Sequence, residues 1–230
     1  MKNICAIVSK QIKDTLKNKA ILIQFVMLPL IGAIFESTIK LENMPDNFFS
    51  EIFAAMHIGM APLVAVSSIV AEEREKNTLR VLMMADVTPL QYMTGVGGYV
   101  WVLCMLGSAA LGLSSKYSPE GLAGFLLVAA VGHLISIFIG AAVGMFSATQ
   151  MTATSVGLPV AMVFAFLPMM AMFNSTIEKI ARFTYTQQIK LFLARPEGDI
   201  ISTEGIIVLA VSMLAALSAF IFAYKRNGLE

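Results

Sequence analysis

Six stretches of about twenty residues in this chain are almost free of charge, and these apolar windows constrain the fold more than any other feature. A helix rises about 1.5 Å per residue, so about 20 residues cross a hydrocarbon layer about 30 Å thick. The windows cover residues 20–38, 52–71, 95–113, 121–145, 154–173 and 205–224. A soluble chain of this size has no core large enough to hide them. Hydrophobic residues make up 57% of the sequence and charged ones 13%, against about 25% charged in a soluble domain. Backbone N–H and C=O groups find no partner in lipid, so each window is expected to close its own hydrogen bonds as a helix. The expected fold is a single all-α polytopic membrane domain over residues 1–230 with six transmembrane helices.

Charge sets the expected orientation. Residues 1–19 hold Lys2, Lys10, Lys13, Lys17 and Lys19 against Asp14 alone, which places the N-terminus in the cytoplasm. Six spans return Lys225 and Arg226 to the same side, so both termini are expected there, in a multi-pass cell-membrane protein. By parity the segment 174–204 is extracellular; it is too polar for a seventh span, and Ile177, Ile180, Phe183, Ile189, Phe192 and Leu193 suit one or two short helices on the outer leaflet. A net charge of +1 offers no basic field for nucleic acid. Cys5 and Cys104 fall in a cytoplasmic helix and a span, so no disulfide is expected.

Outside the spans, Ile4, Val8, Ile12 and Leu16 recur every fourth residue, with Lys10, Lys13 and Lys17 on the opposite face. This predicts an interfacial amphipathic helix over residues 1–19, anchored to the lipid bilayer and able to touch a cytoplasmic partner. The connector 72–94 opens with charges and continues with Leu79, Leu82 and Met83 at helical spacing, predicting a short helix that Pro89 ends. It reads either as a charged flank that holds a span in register or as a docking element. Exposed Leu79, Leu82 and Met83 need a surface to bury them, which favours docking.

Within the spans, Pro29, Pro62, Pro159 and Pro168 each free a backbone carbonyl. Gly140 and Gly144 form a GxxxG, suited to close helix packing inside the chain or to a dimer seam. His57 and His133 are the only histidines and lack a carboxylate partner at helical spacing, so neutral hydrogen-bonded rings are expected rather than a proton relay. Glu36 and Glu51, near the outer surface, are expected to stay solvated.

Catalytic signatures are missing. There is no G-x-x-x-x-G-K-[ST] for a nucleotide, no HExxH for zinc, and no EExxxR, because Asn77 stands where that arginine belongs. The chain is expected to hold no metal, bind no cofactor and catalyse nothing by itself.

The stretch EREKNTLRVLMMADVTP, Glu73 to Pro89, resembles the EREKGTLExLLxxPxs segment after the second span of ABC-2 type permeases, the membrane subunits of ATP-binding-cassette exporters. Asn77 replaces the usual Gly, Arg80 replaces an acidic residue, and Gly95 lacks the lysine that often follows. The resemblance implies that the connector is a coupling helix seated on an ATPase subunit, with roles for Glu73, Arg74, Glu75, Thr78, Leu79 and Leu82. It implies an elbow helix at the N-terminus, a second permease copy or a related permease, and ATP and Mg held by the ATPase. The function so implied is export of an amphipathic or hydrophobic cargo, such as a peptide, lipid-linked molecule or drug. The competing classes are an ATP-independent carrier, which needs ion-coupling carboxylates or inverted repeats not seen here, and a non-transporting anchor or immunity protein.

Overall fold

The computed structural model describes residues 2–17, 19–40, 45–195 and 202–226. Among these the structure is helical throughout, without strands: α1 (Lys2–Lys17), α2 (Lys19–Thr38), α3 (Phe48–Glu75), α4 (Thr78–Met84), α5 (Pro89–Ser114), α6 (Pro119–Phe146), α7 (Gln150–Ala171), α8 (Ser175–Ala181), α9 (Tyr185–Leu193) and α10 (Thr203–Arg226). Five of them, α3, α5, α6, α7 and α10, are long and apolar enough to cross a membrane on their own. The sixth candidate is a bent pair, Asn3–Lys17 with Leu22–Thr38, whose axes differ by 72°. The chain is thus built as a multi-pass membrane protein of five to six spans, with α2 covering the first apolar window.

Helix ends depart from the sequence expectation where local chemistry decides them. α3 runs through Glu75, a full turn past residue 71, because Glu and Arg are good helix formers and nothing breaks the helix before Asn77. Asn77 then adopts φ 56°, and its N–H bonds the Arg74 carbonyl while the Thr78 hydroxyl donates to the Glu73 carbonyl. α4 ends at Met84, with Asp86 at φ 58° and the Val87 N–H reaching back to Leu82. Pro89 does not end α4; it opens α5 behind a reciprocal Thr88–Gln91 capping box, where its missing N–H leaves nothing unpaired.

The hub is α3. In its most apolar window 83% of residues are buried, against 17% for α10. Helices in lipid gain little from hydrophobic association and depend on close packing of small residues, so glycines mark the contacts. A methyl group on Gly144 would stand 2.7 Å from the Ser67 carbonyl oxygen, and one on Gly140 would strike Leu63. The GxxxG of α6 is therefore taken up against α3 within the chain. Gly59 meets the backbone of α7 in the same way at Phe164 and Ala165. Pro62 lies inside this hub and frees the Ile58 carbonyl, which the Ser136 hydroxyl of α6 satisfies at 2.6 Å.

Candidate functional site

The last turn of α3 gathers the chain at the end where α1 lies. Glu73 is buried, and its Oε1 accepts from Lys10 Nζ and from Gln11 Nε2 at 3.0 Å, both on α1. The Tyr92 hydroxyl lies beside the same carboxylate, but off good hydrogen-bond geometry, so Glu73 Oε2 and Tyr92 Oη are both buried without a well-formed partner. Arg74 turns to the C-terminus of α6, donating to the Met145 and Ser147 carbonyls, the latter at 2.6 Å. A cation there meets the negative end of the helix dipole and carbonyls that have no partner within their own helix. Glu75 turns to the N-terminus of α7 and accepts the Gln150 N–H at 2.8 Å. Three consecutive side chains thus hold three different helices. Successive helical residues point about 100° apart, which is why adjacent charges address separate neighbours.

α4 hangs from this collar. Leu79 is buried in the core with Val87, Tyr92 and Tyr224, and Leu82 and Met83 pack half-buried against it. The expectation that these three apolar groups are exposed and need a partner is corrected: Leu79 is 1% exposed and finds its partners inside the chain. The outward apolar groups are Val81 (57% exposed), Met84 (71%) and Leu90 (77%), beside exposed Arg80. The α1 faces are also rearranged. Ile7, Gln11 and Thr15 face the bundle, and Ile7 fills the space over Gly95. Ile12 and Leu16 are exposed, as are Lys13 and Lys17, whereas Lys10 sits at the contact edge on Glu73 rather than on the open face.

In the interior, His57 and His133 come together, with ring centroids 5.4 Å apart and planes near perpendicular. His57 Nε2 donates to the Cys104 carbonyl at 3.3 Å; a carbonyl only accepts, so Nε2 carries a proton. His133 Nε2 pairs with the Ser108 hydroxyl at 2.9 Å. Both Nδ1 atoms are buried without a hydrogen bond, and among the described residues no metal-binding cluster forms around them. Closer to the far end, α9 is inserted among α3, α6, α7 and α10 rather than lying on a surface. Its Tyr185 hydroxyl meets Ser136 at 2.7 Å. The Ser136 proton goes to the Ile58 carbonyl, so Tyr185 is the donor in that pair.

At the far end the expectation of solvated acids is also corrected. Glu51 is 7% exposed. Glu36 is half-buried and caps α3 from another helix, accepting the N–H groups of Asn47 at 3.1 Å and Ser50 at 3.0 Å. Asn47 in turn accepts the Lys116 N–H, and Ser115 donates to Ser50, so α2, α3 and the loop after α5 meet here. The exposed Lys116–Asp46 ion pair raises the lysine's pKa above its ordinary value through its hydrogen bond and charge.

Sequence reasoning missed the histidine contact, the Tyr185–Ser136 link and the clamp on Glu73. A visible signal for the last is the placement of Lys10 beside Gln11, polar residues on the side of α1 away from Ile12 and Leu16. Compared with protein-family models and with curated proteins, the chain matches none.

Proposed function

We propose that this chain is the permease subunit of an ATP-driven exporter of the ABC-2 type, with α4 receiving movement from a separate ATPase subunit. The observation that carries the reading is α4 itself: a seven-residue helix displayed at one end of the bundle, apolar on its outward side and continuous with a collar that grips α1, α6 and α7. Movement of such an element reaches three other helices through α3. The one motif position that departs from the family's Gly adds support. Asn77 sits at φ 56°, where Gly is at ease and Asn is among the few other residues tolerated.

On this reading the α1 end is cytoplasmic and the segment 174–204 lies outside. The protein works in the cell membrane as two permease copies, or with a related permease, on two ATPases that hold ATP and Mg. Glu73, Arg74 and Glu75 act as positioning residues inside the permease, Thr78 and Leu79 root α4, Leu82 packs beneath it, and Val81 and Leu90 meet the ATPase. The polypeptide itself hydrolyses nothing. The spans, apolar and rich in methionine, suit an amphipathic or hydrophobic cargo.

The test is co-purification from native membranes in mild detergent with identification by mass spectrometry. A Walker-motif ATPase at near one-to-one ratio is expected, and V81D/L90D is expected to lose it while keeping the thermal unfolding midpoint of the wild type. A folded wild-type protein that reproducibly brings no ATPase sinks the proposal.

A further inference from the structure

Between α4, the start of α5 and the last turns of α10 lies a cleft of about 950 Å³, near the top of the range of about 300–1,000 Å³ for small-ligand sites. Its chemistry is divided. Among the described residues Arg80 and Lys225 line it as cations with Asp86 as the single carboxylate, while Met84, Phe220 and Ile221 give it an apolar side. Met84 and Ile221 are 71% and 50% exposed, and Phe220 belongs to the core beneath. α10 is apolar enough to span a membrane, and Lys225 and Arg226 are its last two residues. The cleft therefore straddles the level at which α10 leaves the hydrocarbon.

A ligand fitting this place presents alkyl chain to one wall and negative charge to the other. We infer that the cleft binds an anionic phospholipid of the surrounding leaflet. Its phosphate lies against Arg80 and Lys225, and an acyl chain lies along Met84, Ile221 and Phe220. A guanidinium matches phosphate oxygens in a two-point fork, and basic pockets at the ends of spans attract anionic headgroups. A zwitterionic lipid offers the same chains without net charge, so the two cations select between them. The inference stands on the spans and the cleft, independently of any ATPase.

The full chain is purified in mild detergent, stripped of lipid, and titrated with phosphatidylglycerol or phosphatidylcholine while native mass spectrometry counts bound molecules. The wild type is expected to prefer phosphatidylglycerol. R80Q/K225Q is expected to lose about fivefold in that affinity per cation, about 25-fold together, with phosphatidylcholine binding unchanged. K179Q, which removes an exposed cation on α8 at the far end, is expected to bind as the wild type does. If the double variant fails to fold by circular dichroism, R80Q alone leaves α10 intact and is expected to show the fivefold loss. Equal affinity for the two lipids, or phosphatidylglycerol binding untouched in R80Q/K225Q, overturns the inference. So does a double variant that keeps the lipid and loses a co-purifying soluble protein, which makes the cleft a protein-docking surface.

Discussion

The two ends of α3 are fastened in different ways. At its C-terminal end three adjacent charged side chains of α3 itself reach out to α1, α6 and α7. At its N-terminal end α3 is the receiver: Glu36 of α2 caps it, and neutral groups, Ser50, Asn47 and Ser115, do the rest. The first arrangement concentrates three helix contacts in one turn and buries the Glu73 carboxylate, so its members depend on one another. The second spreads its contacts over separate elements and leaves the Lys116–Asp46 ion pair in water. The comparison teaches that a short charged run at the end of a span can be internal architecture, whatever it also does for a partner. The exposed side of α4 is left to meet one.

The largest test of this contrast is Glu73→Ala. Removing a buried carboxylate leaves buried Gln11 without its acceptor and half-exposed Lys10 without its partner, and a loss of about 2–3 kcal/mol in unfolding free energy is expected, read as a drop in Tm in detergent. Combining it with Lys10→Met is expected to cost less than the sum of the two, by about 1–3 kcal/mol, because both act on one contact. Additive losses would show that the collar is not a unit.

A smaller effect is expected at the other end. Glu36→Gln weakens charge-assisted bonds to two backbone N–H groups and should lower stability by about 1–2 kcal/mol in the same assay. A loss as large as that of Glu73→Ala would erase the difference between the ends.

Least of all, Asp46→Ala should leave Tm unchanged within error at neutral pH, since both partners of its ion pair are largely exposed. The pairing raises the Lys116 pKa, so any contribution is complete below the unfolded-state lysine pKa and disappears as pH rises through the raised folded value. A clear difference between Asp46→Ala and wild type that vanishes only in strongly alkaline solution would show that this pair matters more than its exposure implies.

Much of the fold was legible because the signals were local. Each apolar window coincides with one helix, and the two short helices between α7 and α10 follow from a segment too polar to span. The caps were less visible. Pro89 reads equally as a helix stop or a helix start, and the Thr88–Gln91 capping box decides for the start. At the candidate site, Leu79, Leu82 and Met83 were correctly placed on one face of a short helix, yet that face turned inward. Periodicity reports which residues share a face, not what covers it. His57 and His133 are 76 positions apart, and only the packing of α3 against α6 brings their rings to 5.4 Å.

By itself the sequence determined that the chain is a set of membrane-crossing helices, because a backbone in hydrocarbon has to satisfy its own hydrogen bonds and each apolar run does so within itself. The continuation of α3 through Glu75, past the apolar window that ends at residue 71, is what points Glu73, Arg74 and Glu75 about 100° apart. Which helix each one meets was decided only by tertiary structure. Glycines at Gly59, Gly140 and Gly144 let α6 and α7 approach α3 closely enough for short polar links to close, and that proximity is a property of the packed bundle.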